Sequence, residues 1–158
     1  MKRLTAETLL QLKETKQRLE EYGDEYLIRN KIKKDLAKSK NYKDRIFFHA
    51  SGGIGENGVG VGLYLGKDKN AIDNFYNSDG TFGEIEKYIG APRFIDLVNY
   101  EDFDEFEKIA KQNYPNEENN NHFKKLVLKK GFDGIRYYDP IATGEEFVLF
   151  NINKVKQI

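Results

Sequence analysis

The chain changes character at about Arg45, and that break decides which folds are open to it. Before it, apolar residues recur at helical spacing. After it, they fall in short runs separated by glycine, proline and asparagine. Thr5 is placed to cap a first helix, along which Leu9, Leu12, Leu19 and Tyr22 recur at that spacing. Gly23-Asp24 reads as a glycine stop followed by a new cap, and Ile28, Ile32 and Leu36 mark the stripe of a second helix. Residues 1–44 therefore read as an N-terminal helical hairpin, and residues 45–158 as a mixed domain that it packs against to make one unit.

Beyond the break, Ile46-Phe47-Phe48-His49-Ala50-Ser51 suits a buried strand. A glycine-rich stretch from Gly52 to Gly62 leads into Leu63-Tyr64-Leu65, and Asp68 is placed to cap a short helix running through Tyr76. Two strands follow at about 84–89 and 93–98, then an acidic helix at about 100–111. Residues 115–121 form a polar loop with little to bury, and His122 opens a short basic helix that Gly131 ends. Strands at about 135–138 and 146–151 complete the chain, with turn signals at Asp139-Pro140 and Thr143-Gly144. The pattern predicts an α+β fold whose sheet is antiparallel and split.

Composition narrows the chemistry. A chain of 158 residues fits one domain, and 11 Phe with 10 Tyr supply the core that a modest 39% hydrophobic content would otherwise leave thin. Lys+Arg and Asp+Glu balance at 26 each, so net charge points neither toward nor away from nucleic acid. With no cysteine there is no disulfide, thiolate metal site or thiol nucleophile, and two histidines, His49 and His122, give no basis for a multi-histidine metal site. The N-terminus leads into a polar helix rather than an apolar signal core, and no apolar run approaches the roughly 20 residues needed to cross a bilayer. The expected location is the cytoplasm, of the producing cell or of a cell into which the protein is delivered.

Single residues stay ambiguous. The glycine stretch lacks the Gly-Lys-Ser/Thr of a phosphate loop and the spacing of a dinucleotide fingerprint, so it reads as a flexible loop. His49 fits a hydrogen-bonded core histidine or a catalyst. Tyr64 fits cross-strand packing or a ring that stacks on a ligand. Glu146 opens the apolar run Phe147-Val148-Leu149-Phe150, where a carboxylate is either a solvated strand end or a buried group kept for chemistry. The basic segment Arg29–Arg45 reads as a solvated helix face or a macromolecule-binding surface, and the acidic group between Glu101 and Glu107 offsets it.

Taken in order, these residues form a pattern. Phe48-His49-Ala50-Ser51, Gly60-Val61-Gly62-Leu63-Tyr64-Leu65, Ala71 with Phe75-Tyr76, and Gly131-Phe132-Asp133-Gly134-Ile135 followed by Glu146-Phe147-Val148-Leu149-Phe150 resemble the ADP-ribosyltransferase superfamily. The branch is the His-Tyr-Glu one of diphtheria-like toxins and poly(ADP-ribose) polymerases, and the resemblance covers Ile46 to Ile158. It implies a split-sheet core that binds NAD⁺ as substrate, without a metal. Glu146 would be the catalytic carboxylate and the first residue of its strand. Tyr64 would stack on the nicotinamide, with Phe75 or Tyr76 closing the other side. His49 would hold the adenosine ribose, the Ala50 backbone the carboxamide, and Ser51 the nicotinamide end. Fission of the nicotinamide–ribose bond builds positive charge on the ribose, which a fixed carboxylate stabilises.

Two departures qualify that picture. Ala50 stands where the family has glycine, and Gly144, two residues before Glu146, stands where arginine-modifying relatives have glutamate, which argues against an arginine acceptor. Glu145 is either an aid to the acceptor or a solvated neighbour. The activity implied is mono-ADP-ribosyl transfer to a macromolecule, protein before nucleic acid, in a toxin or a phage or mobile-element effector. The alternatives are an NAD⁺ glycohydrolase, an RNA 2′-phosphotransferase, and a non-catalytic NAD⁺- or target-binding module on the same fold.

Overall fold

A computed structural model describes residues 5–22, 25–50, 58–76, 84–139 and 144–158, and within them the fold is α+β. Two helices come first, α1 (Ala6–Tyr22) and α2 (Glu25–Ser39); Thr5 Oγ1 accepts the Thr8 N–H at 3.1 Å and caps α1 as its sequence position predicts. The Gly23-Asp24 junction lies outside the described residues. Then follow β1 (Arg45–Ala50), β2 (Leu63–Leu65), α3 (Lys69–Tyr76), β3 (Ile85–Gly90) and β4 (Phe94–Asp96). Asp68 Oδ1 accepts the N–H groups of Asn70 and Ala71 and starts α3. The chain continues through α4 (Tyr100–Asn113), α5 (His122–Lys129), β5 (Gly134–Asp139), β6 (Gly144–Leu149), a 3₁₀ turn at 152–154 and β7 (Val155–Gln157). This last short strand, which pairs with β3, carries no apolar alternation to betray it in the sequence.

The strands form two sheets, ordered β1-β3-β7 and β2-β6-β5-β4. Every pair is antiparallel except β4 with β5, which run parallel. The expected wholly antiparallel sheet is corrected there. The reason is the connection: α4 and α5 lie between the two strands and carry the chain back over the sheet, as a parallel pair requires.

The four-stranded sheet divides the core. On one face Ile95, Ile135, Tyr137 and Val148 meet Phe106 and Ala110 of α4, Phe123, Leu126 and Val127 of α5, and Ile28 and Ile32 of α2. On the other, Leu63, Leu65, Phe94, Phe147 and Leu149 enclose Phe47 of β1. Edge-to-face ring contacts at 5.0–5.8 Å join Phe47, Phe94 and Phe147. Thus α2 is built into the main core rather than laid on it, and Lys31 on its outer side pairs with Asp35 at 3.5 Å and with Asp102 of α4 at 3.7 Å.

Two glycines fix the ends that hold β5. Gly131 has φ +92°, and α5 ends there with Phe132 N–H on the Val127 carbonyl and Gly131 N–H on that of Leu128, a Schellman arrangement. At Gly134 a Cβ would lie 2.0 Å from the Val148 carbonyl oxygen, so the β5–β6 approach admits no side chain. Between them the buried Asp133 takes the Arg93 N–H on Oδ2 at 2.8 Å and the Asn151 side-chain N–H on Oδ1 at 3.3 Å, tying the starts of β4 and β5 to the end of β6.

Candidate functional site

Among the described residues the two sheets meet at one isolated bridge, where Phe48 and Gly66 exchange backbone hydrogen bonds at 2.8 and 2.9 Å. A longer ladder would set His49 against Leu65 and Ala50 against Tyr64, but the described pairing stops at Phe48. The His49 side chain enters this fork instead. It is 6% exposed, and its Nδ1 lies 2.8 Å from the Tyr64 carbonyl oxygen. A carbonyl only accepts, so Nδ1 carries the proton and Nε2 faces Glu86 Oε1 at 3.9 Å, the residue opposite His49 on β3.

Tyr64 lies in β2, paired with Val148 of β6, and therefore shares a sheet face with Val148, Glu146, Tyr137 and Ile135. Its hydroxyl donates to the Gly60 carbonyl at 2.7 Å and accepts the Val59 N–H at 3.2 Å, which pins the phenol to the end of the glycine-rich stretch. Burial and the nearby Glu146 charge push the Tyr64 phenol up to about 12. The Asn120 and Asn121 side chains hold the same stretch from outside. Asn120 donates to the Gly58 carbonyl at 2.7 Å and Asn121 Oδ1 accepts the Val61 N–H at 3.0 Å. Residues 115–121, expected to form a polar loop with little to bury, thus brace the segment that positions Tyr64.

Glu146 is 4% exposed and is the third residue of β6 rather than its first, so the reading of a solvated strand end is corrected. The strand starts earlier because Asp139 and Gly144 already pair across the hairpin. In register with Glu146, Tyr137 donates its hydroxyl to Glu146 Oε2 at 3.0 Å. Burial, and then the carboxylate beside it, raise the Tyr137 phenol well above its ordinary value, so it remains a donor across the working pH range. Tyr137 was not singled out from the sequence. The hairpin register held the signal, since pairing Asp139 with Gly144 places Tyr137 opposite Glu146.

Glu145, one residue earlier, points to the opposite face. It accepts from Arg136 Nε at 2.9 Å, and Arg136 also pairs with Asp96 at 2.9 Å. The reading of Glu145 as a solvated neighbour is therefore corrected: it is half-buried and ion-paired.

Of the other candidates, Ala50 is buried at the end of β1 opposite Ile85, and Phe75 is 42% exposed on α3, a helix that packs on β1. Ser51 lies outside the described residues, and so does the Tyr76 side chain. Among the described residues, no group of three or more His, Asp or Glu is arranged to hold a metal ion, and no helix is long and apolar enough to cross a membrane.

Comparison with known proteins adds no family. No family model matches the chain, and no curated protein does. A crystal structure of an anti-CRISPR protein aligns over 73% of this chain and 96% of its own, at 16% identity and a TM-score of 0.41, a similarity too low to carry a fold or a function.

Proposed function

We propose that the protein is a mono-ADP-ribosyltransferase that cleaves NAD⁺ and passes ADP-ribose to a macromolecular acceptor. The observation that carries this reading is the fork between the sheets. Glu146 and Tyr64 share one sheet face, and the imidazole of His49 is bonded to the backbone of Tyr64 at the point where the sheets part. A carboxylate, an aromatic ring and an imidazole carried on three neighbouring strands are the kinds of group that suit the bond to be broken.

In this reading Glu146 stabilises the positive charge that develops on the ribose as nicotinamide leaves. Tyr137 holds its Oε2, which fixes the orientation of the carboxylate that would meet the ribose. A carboxylate on a rigid central strand is preorganised, so little reorganisation is needed as the charge appears. Tyr64, anchored at its hydroxyl, would stack its ring on nicotinamide. His49 Nε2, with Nδ1 committed to the Tyr64 carbonyl, is the atom available to a ribose hydroxyl. Phe75, Ala50 and Ser51 keep the roles that the resemblance implies. NAD⁺ is a substrate here rather than a resident cofactor, and the acceptor attacks the ribose carbon that nicotinamide leaves.

The test is mass spectrometry of the products after incubation with NAD⁺ and a cell lysate. Glu146→Gln keeps shape and removes charge, and it should lower nicotinamide release by at least about 100-fold, as loss of a dominant electrostatic contact does. ADP-ribosylated macromolecule is the expected product. An unchanged rate in Glu146→Gln would remove the mechanism, and free ADP-ribose alone would assign the same residues to NAD⁺ hydrolysis.

A further inference from the structure

The reverse face of the four-stranded sheet carries a cavity of about 330 Å³ that the proposed chemistry does not use. Its walls come from α2 and the residues after it, from β1, and from the side chains of β4, β5 and β6 that point away from Glu146. Charge is distributed unevenly within it. Each of the three lining carboxylates is already committed. Asp96 and Glu145 both engage Arg136, while Asp35 pairs with Lys31 and accepts the Asp96 N–H at 3.1 Å.

The remaining lining cations, Lys38, Arg45 and Lys67, have no carboxylate within ion-pair distance among the described residues. Arg45 is the most constrained of them. Its Nη2 donates to the Pro92 carbonyl at 2.7 Å, its guanidinium lies 4.3 Å from the centroid of the Tyr42 ring, and its Nε is buried without a hydrogen-bond partner among the described residues. Burial without a counter-ion pulls this guanidinium below its ordinary value. The Lys67 ammonium, also in the lining, lies 5.1 Å from the centroid of the Phe147 ring. Three cations converging on a concavity with aromatic walls focus positive potential into it.

We propose that this cavity is a phosphate-binding site, taking a phosphate monoester or diphosphate, separate from the Glu146 face and independent of its chemistry. Phosphate suits it better than a single carboxylate because it carries up to two charges and enough oxygens for three separate donors. The volume exceeds that of a bare phosphate and lies at the lower end of small-molecule pockets, which leaves room for a carrier group against Tyr42 and Phe94.

The test is calorimetric titration of the full chain with inorganic pyrophosphate, and with citrate as a carboxylate polyanion, at matched ionic strength. Saturable one-to-one pyrophosphate binding is expected, with affinity falling about tenfold or more in Lys67→Met, in Lys38→Met and in Arg45→Met. Lys38 and Lys67 are exposed, so their variants should fold, as thermal melts will show, and they keep the test valid where Arg45→Met is destabilised. Glu146→Gln should bind pyrophosphate as the parent does, which separates this site from the proposed transferase centre. Absence of saturable heat, parental affinity in both lysine variants, or citrate binding as tight as pyrophosphate would each overturn the assignment.

Discussion

At the residue scale, the proposed chemistry turns on the Tyr137–Glu146 contact. Tyr137 does not touch substrate in the proposed mechanism; it positions the group that does. A hydrogen bond to a charged acceptor contributes about 1.5–3 kcal/mol, so Tyr137→Phe should lower kcat for NAD⁺ cleavage about 10- to 100-fold while leaving KM nearly unchanged. Steady-state nicotinamide release measures both parameters, and a loss confined to KM would place Tyr137 in binding. Tyr64 has its own signature in alkali. Its phenol is raised to about 12 in the folded chain. An unfolded tyrosine ionises near about 10, so the folded state's advantage is complete below about pH 10 and is lost as pH rises through about 12. Tyr64→Phe should flatten that alkaline limb in urea unfolding midpoints recorded between pH 8 and the limit of folding. An unaltered slope would show that another phenol governs it.

At the element scale, the β5–β6 hairpin depends on one residue without a side chain. Gly134→Ala sets a methyl 2.0 Å from the Val148 carbonyl oxygen and 2.8 Å from the Phe94 ring. Overpacking typically costs about 1–3 kcal/mol, and a backbone obstacle places this substitution at the upper end. Thermal unfolding should show Tm falling by several degrees, and a parental Tm would mean that the two strands can separate without penalty. Most elements could be read from the sequence because their signals are local. Thr5 and Asp68 cap helices, Gly131 ends one, and Ile28 with Ile32 marks the buried stripe of α2. What escaped was non-local. The parallel pairing of β4 with β5 follows from where two intervening helices carry the chain, and β7 gains its place from β3 rather than from its own residues. The same division holds among the candidate site residues. His49, Tyr64 and Glu146 stand out by their sequence surroundings, whereas Tyr137, Glu86 and the Asn120–Asn121 brace acquire roles only through pairing partners.

At the scale of the whole molecule, one buried histidine ties stability to acidity. His122, 4% exposed against Phe123, has its imidazole held below the ordinary value, chiefly by burial, and its Nε2 has no hydrogen-bond partner among the described residues. The unfolded chain takes up that proton first. Stability is therefore full above about pH 6.5 and falls as pH drops from there through the depressed folded value. Urea midpoints at pH 7.5 and 5.5 should differ in the parent and converge in His122→Gln, which cannot be protonated. An equal difference in both would trace the acidic loss to carboxylates. A broader consequence comes from the alternation along β6. Glu145 and Glu146 are chemically alike and adjacent, yet one neutralises a guanidinium on one side of the sheet while the other is held by a phenol on the far side. A slip of β6 by one residue against β5 would exchange their faces and drive Phe147 toward the side that Val148 now fills. The register of that hairpin is therefore as much a chemical specification as the identity of the acid it delivers.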